Sequence, residues 1–161
     1  MSVANVYVRR ANPTDVEQAI AVWRLAATAR REGKPVSAAT EAGVRAALQQ
    51  PGAFLIVAED AEQLLGMGLA VPSRAADAAS TLVPGRCFIP LIYVAPDYWG
   101  QGVGRKTVDG VLAEARERGY REVHLWTSAD NVRARRLYEG CGFRHEGQEQ
   151  ADAVGKVDCA V

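Results

Sequence analysis

Leu91-Ile92-Tyr93-Val94-Ala95-Pro96-Asp97-Tyr98-Trp99-Gly100-Gln101-Gly102-Val103-Gly104-Arg105 decides how the rest of this chain is read. The apolar run from Leu91 to Val94 predicts a buried strand, Pro96-Asp97 a turn, and Val103 to Arg118 an amphipathic helix. Between strand and helix stand Gly100, Gly102 and Gly104. Glycines let backbone approach an anion, and the first amides of a helix have no intrahelical acceptor, so this layout suits a phosphate. Arg105 adds a cation at a helix end where a cation is otherwise unfavourable. A tight strand-to-helix turn with no ligand would have the same local pattern.

Spacing removes two nucleotide-binding readings. A dinucleotide fingerprint needs a glycine at the sixth position, but counting from Gly100 reaches Arg105 and counting from Gly102 reaches Thr107. A nucleotide-hydrolase loop ends in Gly-Lys-Ser/Thr, and Gly104-Arg105-Lys106 does not supply it.

The stretch resembles the pyrophosphate loop of the GNAT family of acyl-coenzyme A-dependent N-acyltransferases, Gln/Arg-x-x-Gly-x-Gly/Ala after a strand. Trp99-Gly100-Gln101-Gly102-Val103-Gly104 matches it at all but the first place, where Trp99 stands for Gln or Arg. Downstream, Asn131, Ala134, Leu137, Tyr138, Glu139, Gly142 and Phe143 match the family's Asn-x-x-Ala-x-x-Leu-Tyr-Glu-x-x-Gly-Phe. The resemblance covers the second half of the chain by motif and the first half by element order alone.

The chain has 161 residues, enough to bury a substantial core, and reads as one domain over 1–161. Its 19 basic and 19 acidic residues balance, so no general electrostatic footprint for nucleic acid or for an anionic membrane is expected. No apolar run approaches membrane-spanning length, and the first residues lack a signal-peptide pattern. Cys87, Cys141 and Cys159 lack metal-type spacing. They read as free thiols in a reducing cytoplasm, and no metal is expected.

In chain order, Val6 to Arg10 predicts a strand, and Thr14-Asp15-Val16-Glu17 a capping box opening a helix that buries Val16, Ala19, Ile20, Trp23, Ala26 and Ala27. The charged link 30–35 reads as a solvated turn, and a second helix follows over 38–50 with Val44, Ala47 and Leu48 inward. Strands over 53–59 and 63–71 form a hairpin, with Gly66 and Gly68 marking a bulge or close approach. The small, polar segment 72–85 reads as an irregular loop, placed as a flap over the acceptor side. Beyond the glycine corner, 122–127 predicts a strand. Asp130 or Asn131 caps a short helix ending at Gly140, with Arg133, Arg135 and Arg136 outward. Further strands begin at Gly142-Phe143-Arg144 and run over 156–161, with 146–155 uninformative. This order, β-α-α-β-β-β-α-β-α-β-β, predicts an α/β fold. Its sheet is twisted, mixed and mostly antiparallel, with six or seven strands and about four flanking helices.

What the resemblance implies is more specific. Strands ending at Val94 and Thr127 would splay to receive the pantetheine arm of acetyl-CoA, with backbone contacts from Ile92, Tyr93 and Val94. Gly100, Gln101, Gly102, Val103, Gly104 and Arg105 would hold the pyrophosphate, Asn131 would hydrogen-bond the pantetheine amides, and Arg135 would approach the phosphates. Tyr138 would be the general acid that protonates the leaving thiolate; its alternative is a packing tyrosine. The position of a possible general base, five residues before Asn131, is Trp126, which cannot take a proton. His124, Glu59 and Asp60 are the other candidates. The implied activity is N-acetylation of a primary amine on a small molecule by direct transfer from acetyl-CoA. Acetylation of a protein or peptide amine, and a non-catalytic acyl-CoA-binding module, remain open, as does the oligomeric state, a homodimer included.

Overall fold

The computed structural model describes residues 5–75, 81–128, 131–149 and 154–160. The first strand, β1 (Tyr7–Arg10), leads into a single 3-10 turn over Pro13–Asp15 and then helix α1 (Val16–Arg30). The capping box lies earlier than the sequence suggested. Asn12 is the cap, accepting from the Thr14 amide, and Asp15 reaches back to the Asn12 amide at 2.8 Å. Pro13 explains the shift, because its missing N–H and fixed φ suit the first position of a helical turn. Helix α2 (Ala38–Leu48) is capped by Ser37, whose hydroxyl accepts from the Thr40 amide.

Strands β2 (Phe54–Glu59), β3 (Leu64–Arg74) and β4 (Leu82–Val94) form an antiparallel meander. The expected flap over 72–85 is therefore corrected. Pro72 pairs with Cys87 and Arg74 with Leu82, and the Ala75 amide donates to Thr81 O, so this segment extends the hairpin. Its small residues disguised two strand ends as a loop; 76–80 lie outside the described residues. Helix α3 (Val103–Glu117), strand β5 (Glu122–Ser128), helix α4 (Val132–Gly140) and strands β6 (Arg144–Glu149) and β7 (Val154–Ala160) complete the fold. Strand β6 and the start of β7 occupy much of the segment that was uninformative in the sequence.

Among the described residues the sheet has seven strands in the order β1-β2-β3-β4-β5-β7-β6, and only β4 with β5 is parallel. Helix α3 covers one face, where Val108, Val111, Leu112 and Ala115 pack on Ile56, Ile89 and Ile92. Helix α1 covers the other, through Ala19 and Val22 against Val57 and Met67 and through Ile20 and Trp23 beside Tyr93. Gly68 permits the close seating of α3, since a Cβ there would come within 2.9 Å of Val111 and 2.8 Å of Ile92.

The site is made where β4 and β5 part. They pair at Arg86, Cys87 and Phe88 opposite Glu122, Val123 and His124. On the β3 side, Leu69 pairs with Leu91 and Val71 with Phe88, so β4 spends one more residue than β3 between the same two rungs. This bulge contains Pro90. Proline has no N–H for a ladder and is tolerated inside sheets at bulges, and a bulge bends and twists its strand. Past it, β4 and β5 open into a slot. The bulge also re-aims the side chains: Ile89 and Ile92 both face the α3 layer, while Leu91 and Tyr93 face α1.

Candidate active site

Two joined cavities occupy the slot. The larger, about 650 Å3, runs from the glycine corner to α4, and the smaller, about 200 Å3, lies between Pro90, Tyr93, Trp126 and Thr127. Ile92, Asn131, Ala134, Tyr138 and Arg30 line both.

At the corner, Gly102 has φ 86°, a left-handed conformation that other residues rarely adopt, and nothing stands within 4 Å of where its Cβ would be. It is the N-cap of α3, yet no side chain caps that helix and no acid sits in its first turn. The first intrahelical bond there is from the Lys106 amide to Gly102 O, leaving the preceding amides at the cavity end of α3 without helical acceptors. Gly100, Gly102, Gly104 and Arg105 line the larger cavity. Gln101 and Val103 do not: Gln101 turns its amide to Asp97 O at 3.0 Å, and Val103 is buried in the core.

Trp99 replaces a hydrogen-bonding side chain with an anchor. Its indole donates to Val94 O at 2.7 Å and so ties the corner to the end of β4. The guanidinium of Arg133 lies 5.9 Å from the Trp99 ring centre and approaches Gly100 from α4. Arg133 thus lines the cavity where Arg135, the residue singled out from the sequence, does not. Arg105 also faces the cavity while donating to Gly140 O at 3.1 Å, which links α3 to the end of α4.

Asn131 caps α4, its Oδ1 accepting from the Ala134 amide at 3.1 Å, so the amide Nδ2 is the donor it can turn toward the slot. Two helical turns on, Tyr138 packs edge-on against Phe143 with ring centres 5.8 Å apart. Burial pushes its phenol up to about 12, with the nearby positive charge of Arg30 opposing that rise. The hydroxyl is therefore protonated throughout the physiological range.

The candidate bases sort differently. Glu59 is held by Arg9 at 2.8 Å and lines neither cavity, nor does Asp60, whose carboxylate accepts from the Glu62 and Gln63 amides. His124 stacks on Phe88 at 5.0 Å and shares a 3.1 Å hydrogen bond with Ser73 Oγ. Trp126 does line the smaller cavity, as a wall. No Asp, Glu or His lines either cavity among the described residues. No group of acids, cysteines or histidines among them could hold a metal, and no helix among them is long and apolar enough to cross a membrane. Cys87 is fully buried and its thiol is pushed up to about 12 by burial, so it offers no thiolate.

Reasoning from sequence missed Pro90, Arg30 and Arg133. A proline inside an apolar run is a signal for a bulge and was available at Pro90. The two arginines carry no local signal, because only the fold brings the end of α1 and the start of α4 to one slot.

The family model for the acetyltransferase (GNAT) family matches residues 19–143. N-acetyltransferase 8B of Rattus norvegicus is 35% identical over 103 residues, 63% of this chain and 44% of that protein. The uncharacterized N-acetyltransferase YjgM of Escherichia coli is 30% identical over 112 residues, 70% of this chain and 63% of its own length. In both cases the match spans less than two thirds of the relative. Among solved structures, the putative acetyltransferase yncA of Salmonella typhimurium with its cofactor acetyl-CoA superposes with a TM-score of 0.75 at 20% identity, over 98% of this chain and 94% of that one. At that identity the likeness is one of fold.

Proposed function

The chain belongs to the GNAT family of acetyltransferases, and on that premise we propose that it moves an acetyl group from acetyl-CoA directly to the primary amine of a small molecule. The observation that carries this reading is the meeting of an uncapped helix end behind left-handed Gly102 with a protonated tyrosine in one slot between splayed strands. The slot fits the cofactor. The free amides at the start of α3 and the guanidinium of Arg133 suit its phosphates, and Asn131 Nδ2 suits the carbonyls of its arm.

When bound, acetyl-CoA supplies a thioester whose carbonyl carbon is open to an amine. The new C–N bond forms as the C–S bond breaks; the nitrogen's extra proton goes to water, since no lining group among the described residues can accept it. Tyr138 would hydrogen-bond the departing sulfur and, where its proton is transferred, the phenol is restored by the proton that the nitrogen gave to water. A phenol near 12 is a weak acid beside a thiol of about 8.5, so most of its effect is the hydrogen bond made as charge develops. Full transfer follows to the extent that the same burial raises the thiol. The buried Cys87 favours direct transfer over a relay through it.

The test has two arms. Acetyl-CoA should raise the melting temperature of the wild type, because a ligand of the folded state stabilises it by mass action, and Gly102→Glu should abolish the shift by placing a strained, negative side chain at the corner. An amine panel followed by thiol release should then find an acceptor. Equal thermal shifts in both proteins would remove the phosphate corner from the proposal.

A further inference from the structure

Arg30 is the one arginine among the described residues that lines both cavities. Arg9, Arg10, Arg24, Arg45, Arg86, Arg105 and Arg118 each lie within ion-pair distance of a carboxylate. Arg30 has no carboxylate partner among the described residues; its guanidinium lies 4.9 Å from the centre of the Tyr93 ring and lines both cavities. It is the last residue of α1, where a cation is favoured by the helix dipole, so the charge is held in place before any ligand arrives. It is also the one charged residue lining the smaller cavity among those described, where the other walls include Pro90, Trp126 and Ile89.

We propose that Arg30 recognises the acceptor, taking the carboxylate of an amino acid or amino-acid-like amine whose apolar body lies against Trp126 and Pro90 and whose amine faces Tyr138. This rests on the acetyltransferase reading and narrows its substrate class. The phosphates of the cofactor are the competing anion, and the geometry separates the two. Arg133 and the glycine corner sit at the α3 and α4 end of the slot, whereas Arg30 arrives from α1 on the opposite face and covers Tyr93, which points that way. An arginine fork pairs a carboxylate through two parallel hydrogen bonds, which fixes orientation as well as affinity. A polyamine would meet a cation with no acid beside it, so dicationic acceptors are poor fits.

Phenylalanine, phenylalaninamide and 2-phenylethylamine share one apolar body and differ in the carboxylate and in the basicity of the amine, so their rates are compared per neutral amine. With saturating acetyl-CoA, the wild type should favour phenylalanine over the other two by about tenfold or more in kcat/KM, carried mainly by KM. Arg30→Gln should bring the ratio to near unity, and Arg30→Lys should restore part of it. A wild type without the preference, or Arg30→Gln keeping it, overturns the proposal. So does a tenfold loss of acetyl-CoA affinity in Arg30→Gln with the acceptor ratio intact, which would assign Arg30 to the cofactor. Should no amine be turned over, calorimetry with N-acetylphenylalanine against N-acetylphenylalaninamide in the presence of CoA asks the same question without catalysis. A carboxylate preference lost in Arg30→Gln supports the recognition role while the enzymatic reading fails, and equal binding overturns it.

Discussion

The β1 edge and the centre of the sheet treat their polar groups in opposite ways. At the β1 edge, Arg9 forks onto Asp15 at 2.7 and 3.0 Å and onto Glu59 at 2.8 and 3.0 Å, and Arg10 reaches Glu114 at 2.7 Å. The carboxylate of Asp15, a residue only 6% exposed, also accepts from the Asn12 amide. At the β4–β5 slot the pattern reverses: a strand loses one of its neighbours, a helix starts without a cap, and Arg30 and Arg133 face a cavity. At the edge the charged groups spend their hydrogen bonds on one another, whereas Arg30 and Arg133, both exposed, and the first amides of α3 keep theirs for water or a ligand. The closed edge therefore contributes to the stability of the fold, and the open centre leaves its donors facing a cavity.

Substitutions at the edge and at the slot should separate these roles. The largest effect is expected from Tyr138→Phe, which keeps the ring packed on Phe143 and removes the hydroxyl. Turnover of a working acceptor should fall by about a hundredfold, the usual scale of general acid catalysis, while acetyl-CoA affinity stays within a few-fold. Unchanged turnover would make Tyr138 a packing residue. In the wild type, the pH–rate profile should show no alkaline limb from this phenol below its value of about 12.

At the closed edge, Arg9→Met should lower stability by about 2 kcal/mol, less than for a fully buried pair because the Arg9 side chain is itself 36% exposed. Denaturant melts measure this, and the thermal shift with acetyl-CoA should be unaffected. The same variant tests a pH effect. The hydrogen bonds from Arg9 hold the Asp15 and Glu59 carboxyls below their ordinary values, outweighing partial burial. Their contribution is present above the ordinary carboxylate range and is lost as pH falls through the lowered values, so stability of the wild type should drop below about pH 4. Arg9→Met should flatten that acid limb; an unchanged limb would place the titration elsewhere.

The smallest of these effects is expected at Arg133. Arg133→Ala should weaken acetyl-CoA about tenfold and make binding less sensitive to added salt, read by titration at two ionic strengths. If Arg135→Ala gave the larger loss, the position singled out from the sequence would replace the one the cavity indicates.

The glycine corner and the spacing from Asn131 to Tyr138 were legible in the chain because each is a local device. Gly102 is needed where the backbone turns left-handed, and Asn131 caps the helix that carries Tyr138 two turns later. The element order was legible for the same reason, since helical and strand periodicities are written over neighbouring residues. The cap at Asn12 and the strands within 72–85 were misread where competing signals overlapped: a second capping pattern in one case, small polar residues in the other.

What the sequence alone determined is therefore the set of elements, the glycine corner and the tyrosine-bearing helix. Only the tertiary structure decided that β4 parts from β5 beyond Phe88, because a proline bulge opens a slot only when both neighbouring strands are in place. It alone placed β7 between β5 and β6, paired Arg9 with residues 6 and 50 positions away, and brought Arg30 and Arg133 to one slot. Those outcomes depend on packing between segments distant in the chain, where no local propensity carries the information.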